Sequence, residues 1–315
     1  MNIGIIGCGG IAVSHLNAVR HNNCEVTALC DVSEEICRSF AEKNNLLNVR
    51  IFTSIDELCA GLVCEAVIIC SPPAFHEKAA CTALKNGLHV MCEKPLAHTP
   101  ASARVIEKAV KKSGRVFMPA FRHRFLPAIK KLRDILHSGD IGAPVHFTNI
   151  FCGPAFNMKD KWFSKKSIAG GGCMIDTSSH SVDLFRYIFG DITTYSCQVN
   201  RRLPGTDVED SSVLCVRSSS GVLGVLQAGW VCGVGRAIID IIGEKGRAVY
   251  DYTKPENIDI YLPENKTKAV SVSAGSGFNE EWAHFLEAIA GKTALSCTIK
   301  DGVENLKICS AISSK

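Results

Sequence analysis

An apolar run at the start of the chain, Asn2-Ile3-Gly4-Ile5-Ile6, passes directly into a glycine turn, Gly7-Cys8-Gly9-Gly10-Ile11-Ala12. A helix-like stretch follows, and then a second apolar run, Val26 to Cys30, that ends at Asp31. Strand, G-x-G-x-x-A turn, helix, strand and acid in this order predict a dinucleotide-binding βαβ unit. Gly7 permits the tight turn, Gly9 lets the backbone approach a pyrophosphate, and Ala12 is small enough for the helix to pack on the strand. The unpaired N–H groups and positive dipole end of that helix face the phosphates. An ordinary βα turn shares the glycines but not the acid placed after the second strand.

At 315 residues the chain suits two domains. Its 46% apolar and 21% charged residues read as globular, and a net charge of +4, dispersed along the chain, gives no footprint for nucleic acid. No apolar run approaches the ~20 residues of a membrane helix, and the first residues already form a core strand rather than a signal peptide. A cytoplasmic protein without a membrane partner is expected. The sixteen cysteines include no C-x-x-C pair, the nearest being Cys59 and Cys64, so no metal site is expected. Cys30, Cys70, Cys92 and Cys215 sit in apolar runs, where cysteine acts as a small hydrophobe; free, inert thiols in a reducing compartment are expected. Redox sensing by Cys8, beside the turn, is the lesser reading.

Residues 1 to about 120 alternate short apolar runs with helical patterns. Strands are predicted at Asn2 to Ile6, Glu25 to Cys30, Arg50 to Phe52, Ala66 to Cys70, His89 to Cys92 and Arg115 to Pro119. Helices are predicted near 11–20, 33–44, 54–60, 74–86 and 99–113. Such alternation implies a parallel sheet covered on both faces, with ligands at the carboxyl ends of its strands. The second half reads as an α+β domain on one open, largely antiparallel sheet. A helix from Pro127 to about His137 stops at Ser138-Gly139, and Pro144 to Ile150 forms a strand. A basic loop and a glycine run lead into another helix, and a β-rich tract covers Thr193 to Val272. Its strands are expected at Ser212 to Val216, Val222 to Val231, Ala237 to Ile242, Arg247 to Tyr252, Asp259 to Leu262 and Lys268 to Val272. Helices near 278–290 and 300–313 follow. Val222 to Val231 is apolar at both parities, which predicts a sheet packed on helices on one face and on a partner chain on the other.

Three constellations could carry chemistry. Glu93-Lys94-Pro95 follows the fifth strand, where a lysine can hydrogen-bond a substrate oxygen and stabilise developing negative charge; alone it reads as a surface lysine. Gly170-Gly171-Gly172 opens a helix on which Asp176 and His180 are i and i+4 and share a face, continued by Asp183. A histidine there suits proton transfer from an alcohol, and the carboxylate can orient it or bond a substrate hydroxyl. A capping pair or metal binding by Asp176 and His180 are the rivals. Ser71-Pro72-Pro73-Ala74-Phe75-His76 stops the fourth strand and can line the cofactor site, with His76 a helix-start residue.

These residues together resemble the glucose–fructose oxidoreductase, inositol dehydrogenase and rhizopine-catabolism (Gfo/Idh/MocA) family. The resemblance rests on G-C-G-G-I-A at 7–12, Asp31, S-P-P-x-x-H at 71–76, E-K-P at 93–95, R-F-x-P-A at 124–128 and G-G-G-x-M-I-D-x-x-x-H-x-V-D-L at 170–184, and it spans both halves of the chain. It implies a Rossmann domain over 1–120 and a substrate-binding, oligomerising α+β domain over 121–315, whose C-terminal helix returns to the first. It further implies a homodimer or homotetramer formed through the second sheet. The short stretch after the last predicted helix leads us to expect no longer family tail.

By the same resemblance Lys94, Asp176 and His180 are catalytic, at the interface of the two domains. Gly7, Cys8, Gly9, Gly10, Ile11, Ala12, Asp31, Ser71, Pro72, Pro73, His76, Glu93 and Lys94 hold NAD, with NADP disfavoured by Asp31. Trp162, in the basic loop 159–166, and Arg122, near the domain junction, join Lys94, Asp176 and His180 toward the substrate, and Arg124, also near the junction, is a further candidate. The implied reaction is hydride transfer between nicotinamide and a secondary alcohol or ketone of a sugar, inositol or related polyol. A non-catalytic dinucleotide sensor, and a reductase of non-sugar carbonyls or imines, are the alternatives.

Overall fold

The computed structural model describes residues 1–311. They divide into two compact units, Met1–Phe121 with Phe278–Leu306, and Arg122–Gly277 with the stretch from Lys307 onward.

The first unit is a six-stranded parallel sheet. Its elements in order are β1 (Asn2–Ile6), α1 (Gly10–His21), β2 (Glu25–Cys30), α2 (Glu34–Lys43), β3 (Arg50–Phe52), α3 (Ile55–Ala60), β4 (Ala66–Ile69), α4 (His76–Lys85), β5 (His89–Glu93), α5 (Pro100–Ser113) and β6 (Phe117–Ala120). The strand order β3-β2-β1-β4-β5-β6 places β1 in the middle, paired to β2 on one side and β4 on the other. Ile3, Ile5, Val67, Ile68, Val90 and Met91 have no measurable exposure, as sheet strands covered on both faces require. Local chemistry fixes the helix starts. Ser33, Ser54 and Thr99 cap α2, α3 and α5 by accepting from the N–H three residues on. The helix predicted from 74 opens as a 3-10 turn over Pro73–Phe75, because a proline there supplies no N–H to an earlier carbonyl. Helix α10 (Phe278–Ile289) also packs in this unit, against α1.

The second unit carries an eight-stranded sheet. Its elements are α6 (Pro127–Ser138), β7 (Pro144–Pro154), α7 (Lys166–Ala169), α8 (Cys173–Asp176), α9 (Ser178–Phe189), β8 (Ile192–Asn200), β9 (Ser211–Ser218), β10 (Leu223–Gly229), β11 (Val231–Gly243), β12 (Arg247–Asp251), β13 (Asn257–Leu262) and β14 (Lys266–Ser271). The order is β14-β13-β12-β11-β7-β10-β9-β8, antiparallel throughout except for the parallel pair β7–β10. The final helix, α11, spans Ile299–Ser310; the last residues of the predicted 300–313 helix, 312 and 313, lie outside the described residues.

Two differences from expectation have physical reasons. The predicted strand Val222 to Val231 is two strands, divided at Trp230. The Trp230 N–H donates to the Asp210 carbonyl at 2.9 Å, where the β9–β10 register continues, and its carbonyl accepts from the Ala155 N–H at 2.8 Å; its side chain is buried. Strand β8 falls almost wholly in the expected β-rich tract but is not among its individual strands: it is exposed along most of its length, although Tyr195, Cys197 and Val199 alternate with polar residues. On β10 the two faces separate as the apolar pattern implied. Leu226 and Ala228 are buried, while Leu223 and Val225 are exposed beside Val213 of β9. Phe147, Phe185 and Phe189 close the inner face between β7 and α9, with ring centroids 5.2–5.6 Å apart.

The glycine run is locked from outside. A Cβ at Gly172 would lie 1.7 Å from the Glu209 carbonyl oxygen, so only glycine fits. Gly172→Ala is therefore expected to destabilise the second unit by about 3 kcal/mol or more, since the obstacle is backbone. Urea unfolding reads this directly, and a variant within ~0.5 kcal/mol of the parent would contradict it.

Candidate active site

In the first unit the glycine turn forms a cradle. Gly7 has φ +89°, and a Cβ there would lie 2.5 Å from the Ser71 nitrogen, so the turn sits against the end of β4. Its N–H donates to the Cys30 carbonyl at 2.8 Å. A Cβ at Gly9 or Gly10 would meet nothing within 4 Å, so this side of the turn is open. Helix α1 begins at Gly10 with no side-chain cap and no acid in its first turn, which leaves its N–H groups for an anion. Ala12 is fully buried beneath it, and Ile11 is exposed. A groove of about 440 Å³ runs from Cys8, Gly9 and Gly10 along Val13 to Ile36, Phe40 and Lys43.

Asp31 stands at the end of β2. Its Oδ2 accepts from the Cys8 N–H at 3.0 Å and its Oδ1 from Ser33 N–H at 3.4 Å. Each oxygen keeps a lone pair for a ribose hydroxyl. The cations that could compensate a 2′-phosphate are engaged elsewhere: Arg38 with Glu34, and Arg50 with the Gly61 carbonyl at 3.2 Å. The Ser71 hydroxyl is buried with no hydrogen-bond partner among the described residues, as a group that waits for a ligand would be. Cradle, acid and orphaned hydroxyl together fit a dinucleotide.

His76 is buried behind this turn. Its Nε2 lies 2.7 Å from the Ser71 carbonyl, and its Nδ1 faces the Pro95 and Leu96 carbonyls and the Cys92 thiol at 3.4 Å. Burial lowers the imidazole pKa, against the raising effect of those carbonyls, and holds the Cys92 thiol well up. Both ring nitrogens thus face carbonyl oxygens, Nε2 that of Ser71 and Nδ1 those of Pro95 and Leu96, and either can donate. His76 thereby ties Ser71 to the segment after Lys94.

Lys94 follows β5, and its peptide bond to Pro95 is cis. Its N–H donates to Glu93 Oε2 at 3.0 Å, while Glu93 Oε1 is 2.9 Å from His15 Nε2. The Trp282 indole N–H donates to His15 Nδ1 at 3.0 Å. Both Glu93 oxygens are thus engaged by the protein, and the chain Trp282–His15–Glu93 fixes the backbone that presents Lys94. Burial works to raise the Glu93 pKa, but the hydrogen bond from His15, with the charge and backbone N–H of Lys94, leaves it below its ordinary value.

In the second unit Asp176 ends α8 and His180 lies in the first turn of α9. Thr177, still in right-handed helical conformation, joins the two helices, so the acid and the imidazole remain one turn apart. Glu209 caps this assembly. Its Oε1 accepts from Gly172 and Met174 N–H at 2.9 and 3.1 Å, and its carbonyl accepts from Cys173 N–H at 2.9 Å. The Thr177 hydroxyl reaches Asp176 Oδ2 at 3.3 Å and accepts from the Trp230 indole at 3.0 Å.

Asp183, one turn beyond His180, is committed to structure: Arg124 Nε and Nη2 donate to it at 2.8 and 2.6 Å, both side chains being buried. Arg124 is a strut for the same reason. Arg122 donates to the Ser276 carbonyl at 2.7 Å. Trp162 stacks on Phe163 at 3.7 Å within a run of 3-10 turns, so the basic stretch 159–166 is folded rather than loose.

Sequence reading missed His123 and Tyr252. The His123 ring lies 4.3 Å from that of His180, and its Nδ1 is 2.9 Å from the Tyr252 hydroxyl. No local pattern connects residues so far apart in the chain. Sixteen cysteines are free thiols, and among the described residues no three His, Cys, Asp or Glu side chains are placed to hold a metal ion. No described helix is long and apolar enough to cross a membrane.

The Glu93 contribution to stability has a defined sign. Its folded pKa lies below the ordinary 4.5, so the contribution is complete above that value and is lost as pH falls through the folded value. Wild type should lose stability between neutral pH and the acid side of 4.5 that Glu93→Gln does not lose; equal losses in urea titrations at the two pH values would refute the strut.

A family model described as an oxidoreductase family with an NAD-binding Rossmann fold matches residues 1–121, and one described as the GFO/IDH/MocA C-terminal domain matches residues 129–249. The 1,5-anhydro-D-fructose reductase of Ensifer adhaerens is 26% identical, over 96% of this chain and 92% of its own length. The myo-inositol 2-dehydrogenase of Thermotoga maritima is 28% identical, over 82% of this chain and 77% of its own. In fold, the chain is similar to levoglucosan dehydrogenase solved in complex with NADH and levoglucosan, with a TM-score of 0.91 at 22% identity, covering 99% of this chain and 96% of that one. The chain, with its open glycine cradle, ribose-directed acid and paired Asp176 and His180, belongs to the Gfo/Idh/MocA oxidoreductase family, with an NAD-binding Rossmann domain at its N-terminus.

Proposed function

We propose that this oxidoreductase transfers hydride between nicotinamide and a secondary alcohol or ketone of a sugar, inositol or related polyol, with Lys94, Asp176 and His180 as its catalytic residues. The observation that carries the reading is the externally capped turn that holds Asp176 and His180 one helical turn apart. Gly7, Cys8, Gly9, Gly10, Ile11 and Ala12 hold the pyrophosphate, Asp31 the adenosine ribose, and Ser71 to Pro73 with Lys94 the nicotinamide side. The bound cofactor supplies the hydride acceptor. In the oxidation direction a ring nitrogen of neutral His180 takes the proton of the substrate hydroxyl. The Lys94 ammonium hydrogen-bonds the same oxygen and stabilises its developing charge. Asp176 accepts from a neighbouring substrate hydroxyl, the vicinal arrangement common to sugars and cyclitols. Arg122 and Trp162 are the further substrate contacts. Residues 1–120 serve the cofactor and 121–315 the substrate, apart from Phe278–Leu306, which packs with the first unit. Two relatives, a 1,5-anhydro-D-fructose reductase and a myo-inositol 2-dehydrogenase, support this substrate class.

The open sheet face bearing Val213, Leu223 and Val225 is the surface through which the chain forms a homodimer or homotetramer in the cytoplasm, a state that light scattering reads directly. Neither nucleic acid nor a membrane is part of this reading.

His180→Ala and Lys94→Ala should each cut turnover, His180→Ala by on the order of 10²–10⁴-fold, with NADH binding retained. The oxidation rate should fall toward acid pH, where protonated imidazole accepts no proton. Near-wild-type turnover in His180→Ala would place the base elsewhere, and NADH binding without turnover on any polyol would mean a sensor.

NAD should be preferred over NADP, because the Asp31 carboxylate accepts both ribose hydroxyls and repels a 2′-phosphate. Asp31→Ser should erode the preference; equal kcat/KM for the two cofactors in the parent enzyme would show the acid to be idle.

A further inference from the structure

His180 is not alone at its end of the second unit. Its ring lies over that of His123, with centroids 4.3 Å apart and planes inclined by 35°. His123 is 5% exposed and sits in a slot framed by the edge of Phe151 at 5.3 Å and by Tyr252, whose hydroxyl is 2.9 Å from Nδ1. A phenylalanine would fill this aromatic slot equally well, so packing alone does not account for an imidazole. What histidine adds is a titratable face against His180 and a hydrogen bond to Tyr252.

We propose that His123, oriented by Tyr252, is the positioning residue for His180, and that the stacked imidazoles, both neutral at rest, take up no more than one proton between them over the working pH range. The proposal rests on the reading of His180 as the base. Two imidazolium rings at this separation repel, so the second proton binds much more weakly than the first. Burial holds the Tyr252 phenol well above its ordinary pKa, and it donates to His123 Nδ1, fixing the neutral tautomer with its proton on Nε2. A neutral ring at this distance turns its π face toward His180 and stabilises the imidazolium formed when the substrate proton arrives.

The charged groups around the pair are accounted for. Asp176 stands one turn before His180, Arg124 is bound by Asp183, Arg186 by Asp191, and Arg122 donates to the Ser276 carbonyl. His146 and Arg217, on strands behind α9, are exposed to solvent. Tyr250 lies beyond Tyr252, ring centroids 4.7 Å apart.

The test is a histidine-resolved NMR titration joined to steady-state kinetics. In the wild type, His123 and His180 resonances should both move in two steps separated by at least about one pH unit, a tenfold difference in proton affinity. In His123→Phe, which keeps the ring and its volume, His180 should titrate in a single step. That variant should lose kcat in the oxidation direction by on the order of tenfold with KM and NADH affinity unchanged. Tyr252→Phe should lose less, and the double variant should be no worse than His123→Phe alone. A single-step His180 titration in the wild type, or an unchanged kcat in His123→Phe, would overturn the proposal. The titration needs no turnover, so its result is independent of the His180→Ala test of the base itself.

Discussion

The absence of a side chain at residue 172 governs the second unit's chemistry. Its backbone lies against the Glu209 carbonyl, closer than any Cβ allows, and the Glu209 carboxylate then caps the turn through the Gly172 and Met174 N–H groups. Burial pushes the Glu209 pKa up, and the backbone N–H donors, with the charge of Arg201, counter it in part. Asp176, Thr177 and His180 inherit their positions from that turn. The first unit uses the same device once, at Gly7 against Ser71, where the functional consequence is a phosphate cradle. In each unit a glycine trades side-chain packing for a close backbone approach.

Around these turns several buried polar groups are tied to specific partners. His76 sits between the Ser71 carbonyl and those of Pro95 and Leu96, and burial lowers its pKa. Glu93 is ionised between His15 and the Lys94 N–H, and Arg124 and Asp183 neutralise one another. Removing one partner of such a pair leaves the other uncompensated in a low-dielectric setting, which costs more than the pair is worth when intact. This is why the acids and bases assigned to scaffold duty, Glu93, Arg124 and Asp183, are as strongly fixed as those assigned to chemistry. It is also why they stand adjacent in sequence to Lys94 and around His180.

Much of this was legible in the chain. The dinucleotide turn, the six parallel strands and the Asp176–His180 pair follow from local rules of spacing, β-strand periodicity and glycine placement. The aromatic and imidazole cluster was not legible, because His123, Phe151, His180 and Tyr252 come from a turn, a strand, a helix and the residue after a strand. Only the sheet register, with β12 beside β11 and β11 beside β7, brings them together. Glu209 was invisible for a related reason: a glutamate in a loop carries no sign that backbone N–H groups elsewhere will bind it. Asp183 misled in the opposite direction, since helical spacing put it on the face of Asp176 and His180 and only its partner Arg124 reveals a structural role. Strand β8 carries only a short alternation, Tyr195, Cys197 and Val199 between polar residues, on a segment largely exposed to solvent, a weaker sign than that of the buried strands.

The central claim, hydride transfer from a polyol carbon under His180 and Lys94, is tested most directly by NADH formation when the pure protein is given NAD and a panel of cyclitols, aldoses and anhydro-sugars. The account predicts turnover on at least one member, with a primary isotope effect when the oxidised carbon carries deuterium and loss of turnover in His180→Ala. NADH binding with no turnover across the panel, in either direction, would contradict it.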